Sequence, residues 1–145
     1  MSNVTNVMAT INKRDPIGVN AKSGEAYKVL IVDDSTVMRK IIAQILRSEA
    51  FDIVAEASNG EEGVQLYAQH KPDIVTMDVN MPVMNGLAAL KKILETDPNA
   101  RVVMLTSESE QKMVLEAVQS GAKNYVVKPP DRGILLDKIK ASLAK

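Results

Sequence analysis

A doubly wound α/β fold, a parallel sheet with helices on both faces, is the architecture this sequence predicts, and three observations carry it. Short apolar runs rich in Val and Ile recur from residue 28 onward, stretches with helical spacing separate them, and polar residues finish the runs. Five strand-like runs follow one another: Lys28–Val32, Asp52–Glu56, Asp73–Met77, Arg101–Thr106 and Asn124–Val127. Each is nearly continuous in apolar residues, as a strand covered on both faces must be.

Between the first two runs, Met38, Ile41, Ile42, Ile45 and Leu46 fall at i, i+3, i+4, i+7 and i+8, which lines one helix face with apolar side chains. Asn59 followed by Glu62 has capping-box spacing and marks the start of the next helix. Gly121, after Val114, Leu115 and Val118, is placed as a helix C-terminal stop. The final stretch holds Ile134, Leu135, Leu136, Ile139 and Leu143 and reads as a last helix with no linker after it. Five βα units with short connections give a five-stranded parallel sheet with five helices, flavodoxin-like, in the strand order 2-1-3-4-5.

Residues 1 to 27 read as an N-terminal extension ahead of a domain at 28 to 145. They are polar and interrupted by Pro16, Gly18 and Gly24, the pattern of a flexible leader. Val4, Val7, Met8 and Ile11 also fall on helical spacing, so a short amphipathic helix is the alternative there.

With 145 residues, the chain has room for one core of ordinary size. Its 18 basic and 18 acidic residues balance, so no bulk charge draws it to nucleic acid or to a membrane. With 3 Tyr, 1 Phe and no Trp, platforms for stacking bases are nearly lacking. No cysteine is present, which removes disulfides, thiolate metal sites and cysteine nucleophiles, and a cytoplasmic setting is expected. No apolar run reaches the roughly 18 to 20 residues of a membrane span, and the first residues lack a signal-peptide pattern.

Ligands of such folds bind beyond the carboxyl ends of the strands. There the first run ends in Asp33 and Asp34, the third in Asp78, the fourth in Thr106, and the fifth runs into Lys128 and Pro129. Any one of these Asp residues alone reads as the cap of the following helix. Together they would set three carboxylates, a hydroxyl and an ammonium at one rim. Crowded carboxylates either take up protons or need a cation, and an all-oxygen donor set suits Mg2+ better than zinc. A metal there recruits phosphate, and a screened carboxylate oxygen can attack phosphorus in line to form an acyl phosphate. Lys128 is placed to steady phosphoryl oxygens, and the Thr106 hydroxyl can donate to one of them, making Thr106 a candidate switch.

The stretches VLIVDDS, VTMDVNMPVMNG, VVMLTSES and GAKNYVVKP, in that order, resemble the motifs of response-regulator receiver domains over about residues 28 to 145. The resemblance implies Asp78 as phosphoacceptor, and Asp33, Asp34, Asp78 and the Asn80 backbone carbonyl around Mg2+. It implies a cis peptide between Lys128 and Pro129, and Tyr125 as an aromatic switch that turns inward when Thr106 moves. Asn80 and Glu108 stand where the family tunes the lifetime of the acyl phosphate. Within receivers the likeness runs to the stand-alone chemotaxis type, through DDSTVMRKII and the residues just named. That implies a chemotaxis histidine kinase as phosphodonor, the flagellar motor switch protein as target, and a phosphatase as a further partner. The chain would then catalyse only its own Mg-dependent phosphorylation and dephosphorylation. A receiver from another phosphorelay, or a fragment of a multidomain regulator, is the alternative, while a flavin carrier is disfavoured because the acidic rim would repel FMN phosphate. His70, before Lys71 and Pro72, reads as a polar cap at a helix end with no catalytic role.

Overall fold

The structure, a computed structural model, describes residues 15–144. Five strands, β1 (Lys28–Val32), β2 (Asp52–Ala57), β3 (Ile74–Asp78), β4 (Val102–Thr106) and β5 (Asn124–Val127), form one parallel sheet in the order β2-β1-β3-β4-β5. Five helices alternate with them: α1 (Thr36–Arg47), α2 (Gly60–His70), α3 (Gly86–Thr96), α4 (Gln111–Ser120) and α5 (Arg132–Leu143). A 3-10 turn, Glu108–Glu110, precedes α4.

The sheet divides the core in two. Leu30, Val32, Val75, Met77, Val102 and Met104 face α2, α3 and α4, meeting Tyr67, Leu90, Ile93 and Ala117. Their neighbours Val29, Ile31, Ile74, Val103 and Leu105 face α1 and α5, meeting Ile42, Leu46, Leu135 and Ile139. This two-fold alternation explains why the runs are nearly continuous in apolar residues: both faces of β1, β3 and β4 are covered.

Helix starts are fixed by side chains that accept backbone N–H groups. Ser35 caps α1 through Met38 N–H at 3.1 Å, Asn85 caps α3 through Ala88 N–H at 2.9 Å, and Asp131 caps α5 through Ile134 N–H at 3.0 Å. At α2 the Asn59 side chain accepts from Glu62 N–H at 2.9 Å, and Glu62 reaches back to Ser58 N–H at 3.0 Å, one residue beyond the usual box partner. Gly121 ends α4 with φ +124°, which a residue with a Cβ adopts only under strain.

Three helix stripes differ in part from expectation. Leu115 is 60% and Val118 42% exposed, and the core side of α4 is made by Val114 and Ala117. Ile41 of α1 and Ile134 of α5 likewise face outward; on α1 Ala43, which the stripe omits, is buried, while on α5 Leu135, Leu136 and Ile139 are buried as expected. Small alanines fit where helix and sheet approach closely, so the larger apolar residues need not mark the buried face.

Ahead of β1, residues 15–27 fold back on the domain. Gly18 N–H donates to the Glu49 carbonyl at 2.7 Å, Tyr27 N–H to the Gly18 carbonyl at 2.7 Å, and Val19 bridges Ala26 antiparallel. Glu49 accepts from Ile17 N–H at 3.1 Å and pairs with Arg132 at 3.2 Å, while Ile17 and Tyr27 pack on the α1 and α5 side of the core. The spacing of Val4, Val7, Met8 and Ile11 lies outside the described residues. Among those described, no helix is long and apolar enough to cross a membrane.

Candidate functional site

Parallel strands bring their carboxyl ends to one edge, and the register lines up Val32 with Met77 and Asp78 with Leu105. The residues that follow are therefore neighbours across β1, β3 and β4. Asp78 is the last residue of β3, one position later than the expected strand end, and is 4% exposed. Its backbone is crowded from behind. A Cβ on Gly86, at the start of α3, would lie 2.0 Å from the Asp78 carbonyl oxygen, and Gly86 N–H donates to the Val79 carbonyl at 2.7 Å. Glycine at this point lets α3 press on the strand end and hold Asp78 in place.

Asp33 is buried just past β1. Its Oδ1 accepts from Ser35 N–H at 2.9 Å, its N–H donates to the Ala57 carbonyl at 3.0 Å, and its own carbonyl accepts from Arg39 at 2.7 Å. Asp34 beside it is exposed. Asp33, Asp34 and Asp78 each offer a carboxylate oxygen within 4.8 Å of the others. Lys128 reaches in from the end of β5, its Nζ 3.0 Å from Asp33 Oδ2 and 2.9 Å from Asp78 Oδ1. Its N–H donates to the Thr106 carbonyl at 2.7 Å, and the peptide to Pro129 is cis.

One ammonium against three carboxylates leaves the cluster with surplus negative charge. Burial pushes the Asp78 carboxyl up to about 6, the Lys128 ammonium draws it back, and the Asp33 and Asp34 charges add to the rise. For Lys128, burial opposes its charge, but hydrogen bonds to Asp78 and Asp33 outweigh that and push its pKa up. The surplus charge and the all-oxygen donor set fit a small hard dication such as Mg2+.

Thr106, at the end of β4, is buried, and its hydroxyl donates to the Ser107 carbonyl at 2.9 Å. Tyr125 on β5 is 43% exposed, with Lys138 Nζ 5.7 Å from its ring centre. Thr106, Leu115, Val118, Tyr125 and Val127 line one cavity of about 420 Å3 between α4 and β5. Asn80 and Glu108 are exposed, on the loop after β3 and on the 3-10 turn. His70 ends α2, where Lys71 takes the left-handed cap at φ +45°, and the chain from there enters β3 at the strand end opposite Asp78.

One residue of this neighbourhood escaped the sequence reading. Glu110 accepts from Ser107 N–H at 2.8 Å and from the Ser107 hydroxyl at 3.0 Å, and its Oε1 lies 3.4 Å from the Thr106 hydroxyl oxygen. The spacing Ser107-x-x-Glu110 is a capping-box signal that could have found it.

Residues 29–140 match the response regulator receiver domain family. The chain is 45% identical over 118 residues to the chemotaxis protein CheY of Bacillus subtilis, which covers 81% of this chain and 98% of that protein. It is 46% identical over 136 residues to CheY of Treponema pallidum, covering 92% of this chain and 94% of the relative. Among solved structures, the CheX-CheY-BeF3-Mg2+ complex from Borrelia burgdorferi superposes with a TM-score of 0.87 at 40% identity, over 91% of this chain and 100% of that one. With its family match running through nearly the whole sheet and its acids gathered at the carboxyl edge, this chain belongs to the response regulator receiver domain family.

Proposed function

We propose that this protein is a single-domain response regulator of a chemotaxis phosphorelay, that Asp78 is its phosphoacceptor, and that the face made by α4, β5 and α5, next to Thr106 and Tyr125, passes the signal on. The observation that carries the reading is the Asp78 carboxylate buried beside Asp33 and Asp34 with the Lys128 ammonium 2.9 Å away. Asp33, Asp34, Asp78 and the Asn80 backbone carbonyl would hold Mg2+, which when bound screens carboxylate charge against the incoming phosphoryl oxygens.

The chain's own residues then do the following. An Asp78 carboxylate oxygen forms a bond to phosphorus while the bond to the donor's leaving atom breaks, and the leaving group keeps the electron pair. Lys128, already paired to this carboxylate, turns its charge to a phosphoryl oxygen and offsets the added negative charge. The Thr106 hydroxyl exchanges the Ser107 carbonyl for a phosphoryl oxygen, and Tyr125 turns inward as Thr106 moves. Asn80 and Glu108, exposed at the mouth, govern how readily water reaches phosphorus. Its attack returns Asp78 as a free carboxylate and releases inorganic phosphate.

A chemotaxis histidine kinase is the proposed donor and the flagellar motor switch protein the proposed target, by likeness to the CheY relatives. A partner of the CheX kind, acting as phosphatase, is a further proposed contact, by likeness to the Borrelia complex. By the same likeness, the output is proposed to pass through contact with a partner, and the cytoplasm is the proposed setting. Incubation with acetyl phosphate and Mg2+, read by intact mass, is expected to add one phosphoryl group to the wild type and none to Asp78→Asn. Labelling of both to the same extent would overturn the assignment.

A further inference from the structure

At the end of β4 one carboxylate oxygen gathers the local donors. Glu110 Oε1 accepts from the Ser107 N–H at 2.8 Å and the Ser107 hydroxyl at 3.0 Å, and it lies 3.4 Å from Thr106 Oγ1. The Thr106 hydroxyl donates at 2.9 Å to the Ser107 carbonyl, and Glu110 N–H closes the turn on that same carbonyl at 3.1 Å. Leu105 is paired with Asp78 in the sheet register, so Thr106, the last residue of β4, and Ser107, the first past it, stand beside the carboxylate cluster. Their donors are thus engaged by a short anionic loop of the chain itself.

We propose that Glu110 is a positioning residue acting through Thr106 and Ser107: its carboxylate is an internal anion that competes with the phosphoryl group for these donors. The idea rests on the Asp78 reading and deepens it. Hydrogen bonds to an ionised acceptor are about twice as strong as those between neutral groups, so the carboxylate and an arriving phosphoryl oxygen contend on similar terms. Both cannot be served by the same N–H and O–H. Phosphorylation must therefore release Glu110, and with it the 3-10 turn Glu108–Glu110 that leads directly into α4. Glu110 favours the unphosphorylated arrangement and opposes the phosphorylated one, which makes it a differential contact able to bias a two-state element. It also gives the Thr106 movement a lever. The turn that Glu110 closes carries the start of the helix whose exposed Leu115 and Val118 line the cavity with Tyr125.

The sign of the effect separates this role from simple support of the loop. If Glu110 only braced the turn, weakening it would disorder Ser107 and Thr106 and weaken capture of a phosphoryl analogue. If it competes, weakening it frees the donors and strengthens capture. The test titrates beryllofluoride in saturating Mg2+ into the wild type and Glu110→Gln, with bound fluoride read by 19F NMR. Glu110→Gln keeps an oxygen that can close the turn and removes the charge. It is expected to bind beryllofluoride about three- to tenfold tighter, the scale of the difference between a charge-assisted and a neutral hydrogen bond. Mg2+ affinity measured alone is expected to stay unchanged. Equal or weaker beryllofluoride binding by Glu110→Gln, with the wild type binding normally, overturns the proposal alone. A gain in Mg2+ affinity of the same size also overturns it, since the effect would then be general charge removal. A wild type that takes up no beryllofluoride overturns the Asp78 reading and this proposal together.

Discussion

On the β1 and β3 half of the rim, Asp33 and Asp78 are buried, their backbones are bonded into the neighbouring strands, and Lys128 ties their carboxylates together. On the β4 and β5 half, Thr106 is buried, but what surrounds it is a short 3-10 turn, an exposed Tyr125 and the outward Leu115 and Val118. The first half holds charge at fixed positions under close packing, as a group that must receive a phosphoryl in line requires. The second half is joined by a few side-chain hydrogen bonds that can be exchanged, as a group that must report the event requires. On the proposed reading, chemistry and response are divided between two sides of one sheet edge, with Lys128 reaching across from the end of β5 to the carboxylates.

If that division is right, damage to the first half should cost most. Lys128→Ala is expected to slow phosphorylation by acetyl phosphate on the order of 100-fold, the size of one lost electrostatic contact to the transferring group. A rate within a few-fold of wild type, followed by intact mass, would detach Lys128 from the chemistry. A packing contrast comes next. Leu90→Ala, in the core under β3, is expected to lower stability by about 3 kcal/mol, while Leu115→Ala on the open half should change it by less than about 0.5 kcal/mol. Urea unfolding of the two variants measures both, and equal losses would erase the contrast.

A smaller effect comes from protons. Folding raises the Asp78 carboxyl from 3.8 to about 6, so the folded, metal-free protein binds the proton more tightly than the unfolded chain. Stability from this group is present at low pH and is lost as pH rises through about 6, amounting to about 2 to 3 kcal/mol at 1.36 kcal/mol per pH unit. Asp78→Asn is expected to flatten that slope in urea titrations between about pH 4 and 7, and an unchanged slope would place the proton elsewhere. The same competition means that Mg2+ should bind more weakly as pH falls below about 6.

Much of this was readable beforehand, and the residues show why. β1, buried on both faces from Val29 to Val32, leaves an almost unbroken apolar record, and Lys28–Val32 appears with the bounds that the sequence predicts; Asn124–Val127 does too, although only Val126 of it is buried, because Gly121 before it and Pro129 after it mark its ends. The acids and Lys128 stand at strand ends, where the topology alone makes them meet. Helix faces were less legible. Leu115 and Val118 carry the hydrophobic signal on α4, yet Ala117 makes the contact, because periodicity weighs side-chain size and not closeness of approach. Residues 15–27 show little pattern because their anchoring runs through backbone groups, Gly18 to the Glu49 carbonyl and Ile17 to the Glu49 side chain. Glu110 hides for a related reason. Its capping spacing is visible, but its reach to Thr106 depends on how the turn folds.

The claim on which both halves depend is that the phosphoryl group rests on Asp78. Borohydride reduction of the phosphorylated chain, followed by peptide mapping, reads this directly, since an acyl phosphate is reduced to the alcohol while a phosphate ester survives. Homoserine at position 78, in proportion to the phosphoryl group added, is the expected result. An intact aspartate at 78 with the label retained on Thr106 or Ser107, or homoserine at 33 or 34, would contradict it.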